Sequence, residues 1–311
     1  MDPIPQLTED MHKALFNSKK KDEDVIAVMV KTDRLQRIAI REMYDKIYPQ
    51  RGLLEDIKKK LSGDFEDLVY NLFLTRPEYD ADQMTRAFGT FGTEVEVVYE
   101  LIFGRPLDLL TKMMDEFKKD NKKSLESYID KKFGEPIKSF LYQALQTERS
   151  TNEHPNRERC KDMANDLLKV KPETWLSSRN VTSILLQSSP EELVLISRYY
   201  LKMGGKNIFD VIKNDLSSKI STLLNSLFYN VIAPSEYFAN KINESIKGLG
   251  TDTNLLVRSI LSRYDIDMPT IKQLYYELFK ATVKEDVADD TSGSYQKLLI
   301  VLINTMSQDD I

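Results

Sequence analysis

After Gly63 the apolar positions fall at Phe65, Leu68 and Leu72; after Gly293 they fall at Tyr295, Leu298 and Leu302, at the same offsets. After Ser218 they fall at Ile220, Leu223 and Leu227, and a fourth copy at Ile137, Phe140 and Ala144 fits with a one-residue shift. Steps of three and four between apolar residues stack side chains on a single helix face. Each copy predicts an amphipathic helix, and the recurrence predicts internal repetition. A second marker agrees: Tyr79 precedes Thr93 by 14 residues, and Tyr237 precedes Thr251 by 14. Units of roughly 70 residues follow, long enough for four or five short helices around a small core. Their bounds are 4–75, 76–147, 160–232 and 233–307. Residues 148–159 begin with a polar stretch that lacks an apolar period and holds Pro155, so they read as a linker between halves. Helix formers dominate, and Gly and Pro sit mostly at apparent junctions, so the fold class is all-α.

One loop carries candidate chemistry. Lys247-Gly248-Leu249-Gly250-Thr251-Asp252 is followed, 40 residues after Gly250, by Asp290-Thr291-Ser292-Gly293. Two glycines let the backbone turn tightly enough to aim carbonyls at one point. A carboxylate returning to that point completes a hard-oxygen pocket, which is calcium chemistry. The same residues also read as helix punctuation, with Gly as a C-cap and Thr251 or Asp252 as the next N-cap.

With the repeats in place, the chain resembles the annexins. The residues that carry the match are Lys247 to Asp252, Arg258, Ser262-Arg263, Asp265-Ile266-Asp267 and Asp289 to Tyr295. Leu61 to Glu66 and Tyr79-Asp80-Ala81 match the first repeat and the start of the second. The resemblance implies four repeats of about five helices each, forming a curved disc. It also implies calcium and membrane sites on the convex face, in the loop between the first two helices and the loop before the last. The ligands implied for the fourth repeat are carbonyls near Ile246, Gly248 and Gly250, with Asp290 as the bidentate carboxylate.

The departures are informative. The 40-residue spacing pairs Lys20 with Lys60 in the first repeat, where Ser18-Lys19-Lys20-Lys21 replaces the glycine loop. A cation cannot ligate calcium, so that site is expected to be dead. In the second repeat Gly89-Thr90-Phe91-Gly92-Thr93 is a stretched loop, and its acid position is Lys132, which argues against calcium there. The third keeps an acid, Asp215, but its loop is Lys171-Pro172-Glu173-Thr174-Trp175, so a weak calcium site is expected.

Composition narrows the function. The chain of 311 residues carries a net charge of −5, so no global field draws it to nucleic acid or anionic lipid. Local charge differs. Lys19, Lys20, Lys21 and Lys58, Lys59, Lys60 flank the same loop site if the resemblance holds. They read either as solvated loop ends or as direct contacts to lipid phosphate, each adding about 1 kcal/mol near an anionic leaflet. Lys118, Lys119, Lys122 and Lys123 read as a solvated face. Trp175, the single Trp, reads either as a core aromatic or, beside Pro172 in a calcium-loop position, as a lipid-interface residue.

The one cysteine, Cys160, forbids an internal disulfide and suits a reducing cytosol. No apolar run is long enough to span a bilayer, and Met1 to Pro5 does not begin a signal peptide. That start also leaves little room for an appended partner-binding domain. A cytoplasmic, peripheral membrane protein is expected. Two histidines and one cysteine, with no nucleophile motif, phosphate loop or zinc spacing, argue against an enzyme. The reading is a calcium-dependent binder of anionic phospholipid membranes. Its rival is a scaffold or cytoskeleton-associated protein whose binding is largely calcium-independent and lysine-mediated.

Overall fold

A computed structural model describes residues 3–89, 92–248 and 250–305. Among them the regular structure is entirely helical. The first repeat contains α1 (Ile4–Phe16), α2 (Lys21–Val30), α3 (Arg34–Ile47), α4 (Leu53–Lys60) and α5 (Gly63–Leu72). The second contains α6 (Arg76–Ala87), α7 (Val95–Phe103), α8 (Leu107–Asn121), α9 (Leu125–Lys132) and α10 (Ile137–Ala144). The third contains α11 (Arg157–Lys169), a 3-10 turn (Pro172–Ser177), α12 (Arg179–Gln187), α13 (Pro190–Gly204), α14 (Ile208–Asn214) and α15 (Ser218–Ile232). The fourth contains α16 (Pro234–Ile246), α17 (Thr253–Leu261), α18 (Met268–Phe279), α19 (Val283–Asp290) and α20 (Gly293–Ile303).

The recurring apolar offsets are core positions except Ile220, which packs half-buried against the core. Phe65, Leu68, Leu72, Ile137, Phe140, Ala144, Leu223, Leu227, Tyr295, Leu298 and Leu302 are all buried. Local chemistry sets the helix starts. Asp33 and Gln36 form a reciprocal capping box at α3, and Ser189 and Glu192 do the same at α13, with Pro190 at its first turn. Asp252 caps α17 by accepting from the Leu255 N–H, so the helix-punctuation reading of the glycine loop is realised. That role is compatible with a ligand loop, because the cap uses a side chain and the loop offers carbonyls.

Packing divides the chain into two compact units, Met1–Thr75 with Ser235–Ile311, and Arg76–Pro234. The first unit therefore joins the first and fourth repeats. Arg34 Nε donates to Asp265 Oδ2 at 2.6 Å, and Arg37, almost wholly buried, donates to the Tyr264 hydroxyl at 2.6 Å. Helices α2 and α5 pack against α20, and α5 also meets α17.

The second unit is contiguous and contains residues 148–159. The expectation that this segment separates the halves is corrected, for a physical reason. Arg149 donates to the Leu185 and Ser188 carbonyls, Ser150 N–H to the Gln187 carbonyl, and the Ser189 hydroxyl to the Asn152 carbonyl. A polar stretch can be bound through its backbone as firmly as an apolar one through burial. Within this unit Arg105 makes a two-pronged bond to Asp80, at 2.7 and 3.0 Å, with both side chains buried.

Candidate metal centre in the fourth repeat

Helix α16 ends at Ile246, and the chain turns through Gly248 at φ 129° and Gly250 at φ 90°. Side chains rarely adopt these angles, so glycine is required by the backbone and not by crowding: a Cβ at either position would meet nothing within 4 Å. The Asp252 N–H closes the turn on the Ser245 carbonyl at 2.7 Å. Among the described residues, neither the Gly248 nor the Gly250 carbonyl accepts a hydrogen bond, and both glycines are exposed. Leu249 lies outside the described residues.

The acid arrives from α19, whose last residue is Asp290. The Thr251 hydroxyl lies 2.5 Å from Asp290 Oδ2 and 2.9 Å from the Asp290 carbonyl. One hydroxyl thus links the glycine loop to the carboxylate. Beyond Asp290, Gly293 turns at φ 67°, and Gln296 Nε2 donates to the Ala288 and Thr291 carbonyls, which braces the loop from behind. A polar cleft of about 330 Å³ opens here, lined by Thr251, Asp290 and Ser292 and also by Asp22 and Asp64 of the first repeat. Tyr295 borders it. Burial, then the Asp64 and Asp67 carboxylates, push its phenol well above the usual range, so it stays neutral.

The residues present fit a hard divalent cation. Among the described residues, no group of three or more His, Cys, Asp or Glu side chains is arranged to hold a metal. A side-chain cage is therefore absent there, and the donors on offer are backbone oxygens and the Asp290 carboxylate, with Asp22 and Asp64 also lining the cleft. That is calcium's preference and a poor match for softer metals.

The other repeats hold their expected residues differently. In the first, the two lysine clusters meet: Lys21 Nζ donates to the Lys60 carbonyl at 3.0 Å. Lys19, Lys20, Lys58 and Lys59 are exposed, Lys58 and Lys60 lie over the Tyr70 and Phe16 rings at 4.2 and 4.3 Å, and Lys20 lies 3.7 Å from Glu23. In the second, Thr90 and Phe91 lie outside the described residues, and Lys132 ends α9 exposed. In the third, Asp215 is exposed at the end of α14, and Lys206 Nζ sits 3.2 Å from its Oδ2.

Trp175 is corrected. The expected lipid contact is fully buried, at 0% exposure. The 3-10 turn of Pro172–Ser177 folds the indole inward, where its N–H donates to the Val170 carbonyl at 3.2 Å and its ring meets Tyr200 edge-on at 6.0 Å. A buried indole needs such a partner for its one polar atom. Thr251 was the residue that spacing alone did not single out. Its signal is the 39-residue interval to Asp290, which recurs in the first repeat as Lys21 and Lys60.

Comparison with known proteins places these features. The sequence model described as Annexin matches residues 8–72 and 237–302. Human annexin A4 is 27% identical over 300 residues, covering 94% of this chain and 92% of annexin A4. Mouse annexin A6 is 26% identical over 298 residues, covering 96% of this chain, which spans only 44% of annexin A6. The solved structure of annexin III superposes with a TM-score of 0.89 at 25% identity, covering 97% of this chain and 94% of the other. A family pattern at both ends, relatives along nearly the whole chain and a shared course of helices have one source: the chain belongs to the annexin family.

Proposed function

We propose that this chain binds anionic phospholipid membranes in a calcium-dependent manner, through the fourth-repeat loop. The observation that carries the reading is the Gly248–Gly250 turn, whose carbonyls accept no hydrogen bond among the described residues and which Thr251 ties to Asp290. Carbonyls near Ile246, Gly248 and Gly250 and a bidentate Asp290 supply about five oxygens, whereas calcium takes six to eight. A calcium ion held there would leave coordination positions for water in solution and for lipid phosphate at a membrane. Affinity for calcium and for lipid then rise together, since coupling is reciprocal. Asp215 is the second candidate, and a weak one, because the Lys206 ammonium competes for its carboxylate. The reading assigns no catalytic residue. The reading places attachment at the membrane surface, on the cytoplasmic side; among the described residues no helix is long and apolar enough to cross a membrane.

A second reading is favoured by the meeting of Lys21 with Lys60. It brings Lys19, Lys20, Lys58 and Lys59 to one loop pair, where they contact lipid phosphate, or an acidic cytoskeletal partner, without calcium. Calorimetry of calcium binding with and without phosphatidylserine vesicles tests the first reading. One principal site whose affinity rises in the presence of vesicles is expected, and equal affinity with and without them refutes the calcium bridge. Vesicle pelleting in a calcium chelator tests the second.

A further inference from the structure

The first and fourth repeats close their loops at equivalent places. Thr251 and Asp290 are 39 residues apart, as are Lys21 and Lys60. Both pairs are joined at the same backbone atom of the second member. The Thr251 hydroxyl reaches the Asp290 carbonyl at 2.9 Å, and the Lys21 ammonium reaches the Lys60 carbonyl at 3.0 Å. Lys60 and Asp290 are each the last residue of their helix, α4 and α19. A carbonyl at that position has no partner within its own helix and carries part of the helix's terminal negative charge. An ammonium satisfies both the hydrogen bond and the charge.

The rest of the first-repeat loop is built around that contact. It has no glycine. The Ser18 hydroxyl instead accepts from the Lys20 N–H and donates to Asp24, folding residues 18–20 against the start of α2. Lys21 opens α2, so its bond ties the first loop to the end of α4. These are the two segments whose counterparts in the fourth repeat offer the carbonyls and Asp290.

We propose that the Lys21 ammonium, bonded to the carbonyl that Thr251 reaches in the fourth repeat, is a built-in cation that clasps the first-repeat loops without calcium. It is a positioning residue: it holds the two loop segments together at every calcium concentration and so keeps Lys19, Lys20 and Lys59 facing outward as a standing phosphate-binding surface. The second half of this statement rests on the lysine-mediated lipid reading above; the clasp itself does not. The lysines that replaced the glycine loop are thereby divided in role, one turned inward as the cation and the others left for lipid.

The test compares Lys21→Met, Lys21→Arg and the charge-matched control Lys20→Met in calcium-free buffer. Backbone hydrogen exchange is followed over residues 18–23 and 59–63, with binding to phosphatidylserine–phosphatidylcholine vesicles measured in parallel. In wild type, adding calcium is expected to leave exchange over both segments unchanged. Lys21→Met is expected to exchange about fivefold faster there, the loss of one charge-assisted bond, while Lys21→Arg stays near wild type. Calcium-free vesicle binding is expected to fall further in Lys21→Met than in Lys20→Met. Wild-type exchange rates in Lys21→Met overturn the clasp. Faster exchange with equal binding loss in the two Met variants overturns the positioning role, leaving Lys21 as one more surface charge. Faster exchange in Lys21→Met, with no calcium-free binding by wild type, upholds the clasp and overturns the lipid reading of the lysines.

Discussion

Thr251 and Asp290, 39 residues apart, are joined twice by one hydroxyl, at 2.9 Å to the carbonyl and 2.5 Å to the carboxylate. The second contact aims a charged acceptor back at the glycine turn, so Thr251 sets where Asp290 waits. Asp290→Ala is expected to abolish most calcium binding measured by calorimetry. Thr251→Val keeps the carboxylate but frees it, and is expected to weaken affinity about 5-fold to 10-fold, near 1 kcal/mol. An Asp290→Ala protein that binds the same number of ions with the same affinity would move the site elsewhere.

The lysine clusters make a salt-sensitive prediction. Replacing Lys19, Lys20, Lys21, Lys58, Lys59 and Lys60 together by Gln should weaken calcium-free binding to acidic vesicles and flatten its dependence on ionic strength. Exposed charges act through solvent and are screened within about 10 Å at 0.1 M salt. A titration of binding against salt decides it: superimposable curves for variant and wild type remove the lysines from the interface.

Trp175 offers an optical check on the third repeat. With the indole at 0% exposure, its emission should already be blue in free protein and resist a soluble quencher. Adding calcium and acidic vesicles should leave it unchanged. Emission at the wavelength of solvated indole would contradict the burial.

The second unit has its own weak point by design of its charges. Asp80 and Arg105 are buried together, and removing the carboxylate takes two charge-assisted bonds from the guanidinium inside the core. Asp80→Asn is expected to cost about 3–5 kcal/mol, read as a lower urea midpoint. Replacing both residues by apolar ones of similar volume should recover much of the loss.

The helical faces were legible because packing demands a period, and residues such as Leu68, Leu223 and Leu298 are fully buried where that period places them. The fourth-repeat loop was legible because positive φ selects glycine, and Gly248 and Gly250 adopt it. Trp175 was not. Spacing carried it to the right loop, but whether a 3-10 turn points its fourth residue inward depends on the space beside Tyr200, which a linear pattern does not contain. The role of Lys21 was hidden for a related reason. Its type announces a charge, while its contact depends on a backbone carbonyl that every residue possesses. The polar stretch 148–159 reads as a boundary because its bonds are made by main-chain groups and by the Arg149 guanidinium reaching backbone carbonyls, partners that composition does not weigh.

The make-up of the first unit bears on how the chain comes off the ribosome. Residues 76–234 form one compact unit from unbroken sequence, so everything it needs is available once that stretch has emerged. The first repeat is made earlier but must wait longer. Its Arg34 and Arg37 find Asp265 and Tyr264 only after more than 220 further residues have been added. Until then the faces of α2 and α5 that will meet α20 have no partner, and a nascent chain with such faces exposed is prone to aggregate. The repeat proposed to take calcium is therefore also the piece that completes the oldest part of the chain, and a stalled or shortened product would lose both at once.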